Sequence, residues 1–163
     1  METPELMAAA YRAEMERLLE VVDGIPPELL TAPIHGDWTV KEVLVHLAAW
    51  DRAVAASADD VLAGRAARLT RMRLEDINED VVDSRRGATL DEARRELVEA
   101  HRALLERVDG RSLEQWRSAP PGERWGDGSA MTLASVFAYR YREQTHHGGH
   151  ADEIAEWLHR RSG

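Results

Sequence analysis

Trp38-Thr-Val-Lys-Glu-Val-Leu-Val-His46-Leu-Ala-Ala-Trp50-Asp51, residues 38–51, carries the clearest structural signal in the chain. Thr39 followed three residues later by Glu42 makes a capping box, in which each side chain satisfies an amide that the first helical turn leaves unpaired. Trp38, just before the cap, is placed to staple over Val43 one turn inside. Val43, Leu44, Leu47, Trp50 and Val54 then recur at three- and four-residue steps, so the segment reads as a helix with one buried face. His46 falls between Val43 and Trp50 beside Leu47, on the inward side of that helix.

The flanking sequence repeats the pattern. Residues 4–23 place Met7, Tyr11, Met15, Leu18, Leu19 and Val22 on one helical face, and Gly24, Pro26 and Pro27 end it. Thr89 with Glu92 is a second capping box, and Ala93, Leu97, Leu104, Leu105 and Val108 continue a stripe that Gly110 stops in a left-handed conformation. Between Gly64 and Gly87 the periodicity weakens across a basic stretch, Arg65 to Arg73, and a short amphipathic piece around Ile77, Val81 and Val82. This is a connection holding a small extra helix. Residues 111–131, with Trp116, Trp125, two prolines and three glycines, read as an irregular crossover anchored by tryptophans. A last helix is expected from Ser129 or Thr132 through Val136, Tyr139, His146, His150, Ile154 and Trp157 to about Arg160. The expected fold is all-α: a four-helix bundle in a single domain, residues 1–163, with an extra short helix between the second and third long helices.

Composition narrows the function. The chain has 163 residues, of which 44% are hydrophobic and 31% charged, with a formal net charge of −9, the wrong sign for neutralising phosphates or anionic headgroups. Nucleic acid and membrane are therefore not expected partners. No apolar run approaches the roughly 20 residues that cross a bilayer, and Met1 to Leu19 carries charges every few positions, so neither a spanning helix nor a signal peptide is expected. There is no cysteine, which excludes disulfides, thiolate nucleophiles and sulfur-ligated metals; any metal must rest on His, Asp or Glu, and a reducing cytoplasm is the expected compartment.

The histidines carry the chemistry. His146 and His150 lie one turn and about 40° apart on the expected last helix, so both rings can reach one point. His147 sits about 100° round, at the edge of the same stripe. With the inward His46 a third imidazole is available, and three neutral imidazoles on a divalent ion leave a coordination position open for catalysis. Taken singly, each histidine is more often a buried ring satisfied by the backbone or a carboxylate; the clustering favours the metal. His101, between Leu97 and Leu105, reads as a core residue, His35 as a loop residue and His159 as a solvated terminus. Glu143, one turn before His146 on the expected helix, is the candidate acid, base or orienting group, its ordinary alternative being a partner for Arg140 or Arg142. Glu153 is placed to accept from an imidazole in the same way. Gly148 and Gly149 cost a helix interior about 2 kcal/mol against alanine, so a break or a close approach by another helix, a ligand or a second copy of the chain is expected there.

The segment from Trp38 to Asp51, together with His146-His147-Gly-Gly-His150-Ala-Asp-Glu-Ile154, resembles the DinB-like superfamily over nearly the whole chain. Within it, Asn78-Glu-Asp-Val-Val, the Leu90–Val108 helix and Tyr141-Arg-Glu-Gln-Thr-His-His resemble the ClbS/DfsB-type branch. The resemblance implies an up, down, down, up bundle in which His46, His146 and His150 bind a divalent ion such as zinc or nickel. It also implies a choice of functions. One is a metal-dependent hydrolase or thiol transferase acting on an electrophilic small molecule with water or a low-molecular-weight thiol. The other is a non-catalytic binding or self-resistance protein whose tryptophan-lined cavity, from Trp38, Trp50, Trp116, Trp125 and Trp157, sequesters a hydrophobic compound. A homodimer is a further possibility raised by the glycine pair.

Overall fold

The computed structural model describes residues 3–163, which contain seven α-helices and no strand. Helix α1 spans Pro4–Asp23, and its N-cap Thr3 accepts a hydrogen bond from the Leu6 amide. Helix α2, Val40–Leu62, starts where the capping box places it: the Glu42 carboxylate accepts from both the amide and the hydroxyl of Thr39. Trp38 packs on the core cluster that holds Val43 and also covers His46, ring centroids 5.1 Å apart. The expected extra helix is there as a wide π-type turn, Asp76–Asp80, running into α3, Val81–Ser84. The basic stretch before it folds onto the end of α2, where Arg65 and Arg71 donate to buried Asp60 at 2.6 and 3.2 Å.

Helix α4, Leu90–Glu106, keeps its Thr89–Glu92 box and stops before Gly110, whose φ is 70°. Helix α5, Leu113–Arg117, carries the buried Trp116 of the crossover, stacked 5.5 Å from Phe137. The last expected helix is two elements. Helix α6, Leu133–Val136, ends after one turn, and α7 begins only at His146 and runs to Ser162. Between them Tyr141 and Gln144 bond each other's backbones at 3.0 and 3.1 Å, with Arg142 and Glu143 in the left-handed region at φ 53° and 66°. Thr145 then restarts the helix, its hydroxyl accepting from the Gly148 amide. The polar run from Arg140 to Thr145 suits a helix surface, but Thr145 serves better as a cap, and the segment before it doubles back.

Side-chain contacts between helices give the direction of each long helix. Asp51 meets His101 and Asp59 meets Arg107, so α2 and α4 run parallel. Arg12 meets Asp109 and Asp23 meets Arg94, so α1 is antiparallel to α4; Glu14 meets Thr145 and Arg17 meets Asp152, so α1 and α7 are parallel. The order is up, down, down, up. The core has two apolar halves, one around Leu18, Leu44, Leu97 and Ile154 and one around Tyr11, Val54, Leu104 and Phe137. Between them in sequence on α2 and α4 stand the buried Asp51 and His101. Among the described residues, no helix is long and apolar enough to cross a membrane.

Candidate functional site

Three imidazoles from two helices meet at the floor of a cleft. His46 comes from the second turn of α2; His146 is the first residue of α7 and His150 lies one turn further along. One ring nitrogen from each lies within 4.8 Å of the others, and all three residues are buried. The Nε2 atoms of His46 and His146 face each other at 3.0 Å. Two imidazole nitrogens so placed can share one proton or point two lone pairs at one cation. With metal–nitrogen bonds of about 2.0–2.1 Å, a 3.0 Å separation is an edge of a coordination polyhedron. His150 approaches His146 and His46 with ring centroids at 5.0 and 5.5 Å.

Glu153 fixes the His150 tautomer. Its Oε2 is 2.8 Å from His150 Nδ1, and a carboxylate only accepts, so the proton is on Nδ1 and the Nε2 lone pair is free. The other oxygen of Glu153 accepts from His35 Nδ1 at 2.8 Å, with the Tyr141 hydroxyl at 3.5 Å. Burial pushes the Glu153 carboxyl upward, but the hydrogen bonds from His150 and His35 outweigh it and bring it to about 2. Desolvation, reinforced by His150 and His35, lowers His46 to about 3. Desolvation likewise lowers His146, with His46 and His150 adding to it, and lowers His150 in spite of Glu153. Neutral imidazoles are the form a metal requires.

These shifts set the pH dependence of the metal-free chain. Above the ordinary value of 6.5, His46 is neutral folded and unfolded and contributes nothing. Below it the unfolded chain binds a proton that folded His46 refuses until about pH 3, so stability falls as pH drops through that window. Glu153 acts with the same sign lower down: its contribution is present above 4.5 and is lost as pH falls toward 2. Urea midpoints of chelator-treated protein are therefore expected to fall between about pH 7 and pH 4.5, less steeply in His46→Gln. A flat midpoint in the parent over that range would contradict the burial of neutral rings.

The cleft above the imidazoles measures about 690 Å³. Its walls are aromatic, from Trp38, Trp50, Tyr139 and Tyr141, and Asn78, Asp83 and Arg86 also line it. Trp50 is held twice, by stacking 5.3 Å from Tyr139 and by donating its indole N–H to Asn78 at 3.0 Å. Trp116, Trp125 and Trp157 do not line it.

His46, His146 and His150 thus come together as the helical spacing suggests, and Glu153 reaches them. Glu143 does not. It is exposed on the turn before α7, outside the cleft, because α7 starts after it and the two never share a helical face. His147 is fully buried rather than at an edge, and it joins His101 on a carboxylate that the apolar pattern hides, Asp51. The signal for that group was the adjacency of His146 and His147, which aims two rings at different neighbours, and an aspartate set between Trp50 and Val54 on an otherwise apolar face.

Comparison with known proteins supplies the lineage. Residues 10–151 match the profile described as the DinB superfamily. A crystal structure of a protein from Streptococcus pneumoniae superposes with a TM-score of 0.69 at 18% identity, covering 98% of this chain and 92% of that one, a likeness of fold. Comparison with curated proteins gives no match.

Proposed function

The chain belongs to the DinB superfamily, and from that premise we propose that it is a metal-dependent enzyme acting on an electrophilic small molecule, with His46, His146 and His150 as ligands of a zinc- or nickel-like divalent ion. The observation that carries this reading is the convergence of three neutral imidazoles at the floor of an aromatic cleft, with one tautomer fixed by a carboxylate. Such an ion supplies Lewis-acid chemistry, lowering the pKa of a water or small-thiol nucleophile and polarising the electrophile. The chain does the rest. Glu153 holds His150 in the coordinating tautomer, and Trp50 with Tyr139 offers a flat apolar wall for a substrate. Tyr141, its ring 4.6 Å from that of His150, lines the cleft beside it. The partner set we infer is a small-molecule electrophile with water or a low-molecular-weight thiol, in the cytoplasm and without nucleic acid or membrane. Asn78 on the cleft wall and the Tyr141–His147 stretch beside it support a place in the ClbS/DfsB-type branch.

The test is turnover of an activated ester and of an arylating electrophile with a small thiol. Zinc- or nickel-loaded untagged chain is expected to exceed the chelator-treated chain by at least about 100-fold, and His46→Ala to behave like the latter. Equal rates with and without the ion would overturn the enzyme. Saturable one-to-one binding of an aromatic electrophile without turnover would instead favour a sequestering protein, the reading that the tryptophan and tyrosine walls would then carry alone.

A further inference from the structure

A second group of buried polar side chains converges from three helices and takes no part in the cleft. Asp51 of α2, His101 of α4 and His147 of α7 are 3%, 5% and 0% exposed. Each offers one ligand-type atom within 4.8 Å of the other two. Asp51 Oδ2 stands 2.9 Å from His147 Nε2 and 3.3 Å from His101 Nδ1. The second nitrogen of each ring, His147 Nδ1 and His101 Nε2, is buried with no partner among the described residues.

Two neutral imidazoles donating to Asp51 leave a whole negative charge inside the bundle. Among the described residues no lysine or arginine is within ion-pairing distance of that carboxylate, whose only charged-type partners are the two histidines. Buried carboxylates are normally paired with a cation, and an unpaired one is costly. A divalent ion balances it with charge to spare. The separations of 2.9 and 3.3 Å are those of adjacent ligands about an ion with bonds of about 2.0–2.2 Å. A water-sized void of about 10 Å³, bordered by Asp51, His147, His146 and Tyr11, lies beside the group and gives a fourth ligand room.

We propose that Asp51, His101 and His147 form a second, buried divalent-cation site that ties α2, α4 and α7 together between the two apolar halves of the core. Two imidazoles and one carboxylate suit a borderline ion of the zinc or iron(II) kind. All three residues are buried, so the ion would be structural and taken up as the chain folds. This site stands on its own residues and does not depend on the cleft being catalytic.

Untagged protein folded with zinc in excess and then dialysed is expected to hold two ions per chain by elemental analysis. His150→Ala should hold one and His101→Gln one, with the ion of His150→Ala sustaining a urea midpoint that a strong chelator lowers. The glutamine keeps a donor for Asp51, and Asp51→Asn serves as a second variant of matched shape should His101→Gln not fold. One ion in the parent, lost in His150→Ala and kept in His101→Gln, would overturn the second site and leave a hydrogen-bonded polar layer. One ion lost in His101→Gln and kept in His150→Ala would support it while removing the cleft ion. No ion in the parent would overturn both.

Discussion

His150→Ala is expected to strip the cleft of its divalent ion and leave the bundle folded. His150 supplies the imidazole whose coordinating lone pair is fixed by the 2.8 Å bond to Glu153, so the substitution removes a ligand and strands the group that orients it. Weakening an orienting partner alone costs about 10–100-fold in metal affinity, and that is the loss expected of Glu153→Gln; removing the ligand itself should exceed it. The ring borders the cleft, so water can replace it, and the stability cost of the metal-free protein should stay near about 1 kcal/mol. Competition with a zinc chelator measures the affinity and urea unfolding the stability. Parent-like affinity in His150→Ala together with a parent-like number of ions per chain would remove the cleft site, whatever the enzyme assays show.

Gly149→Ala is expected to be the most damaging single-methyl change in the chain. A Cβ there would lie 2.4 Å from the Tyr141 carbonyl oxygen and 2.5 Å from Tyr141 Cδ1, closer than real Cβ contacts come. The carbonyl cannot swing away cheaply, because it accepts from the Gln144 amide in a turn already holding two non-glycine residues at positive φ. Either α7 or the turn must shift, at about 1–3 kcal/mol or more. The shift would carry Tyr141 off His150, so ion affinity should fall with stability. At Gly148 the obstacle is the Glu14 carboxylate, which can move, at the loss of its bonds to the Thr145 amide and hydroxyl. A Gly149→Ala protein with an unfolding free energy within about 0.5 kcal/mol of the parent would show that the turn is not clamped as described.

These contacts also show where sequence reading succeeds and stops. The helices announced by local chemistry, Thr39 with Glu42 and Thr89 with Glu92, start where those boxes place them, because a cap is satisfied within four residues of itself. His46, His146 and His150 were legible because apolar periodicity marks the inward face and a four-residue step marks one turn. The break before α7 was not legible. The residues from Arg140 to Thr145 have nothing against helix in their own propensities, and what defeats it is long-range: Glu14 of α1 holds Thr145, and Gly149 admits the backbone of Tyr141. Glu143 followed from the assumed continuity and fell with it. The glycine pair implied a close approach, and the structure finds one within the chain. Asp51 escaped notice because its partners lie 50 and 96 residues away, on helices whose facing the periodicity alone does not set.

The imidazoles at the base of the cleft ride on long helices, whereas much of its wall comes from what joins them: His35 to Trp38, Leu74 to Arg86, and Tyr139 with Tyr141. In the enzyme we propose, reactivity and selectivity would thereby be written on separate parts of the polypeptide. On that reading, descendants of this chain could exchange linkers and acquire new substrates while inheriting the three imidazoles intact, and an engineer could graft those same linkers between relatives to the same end.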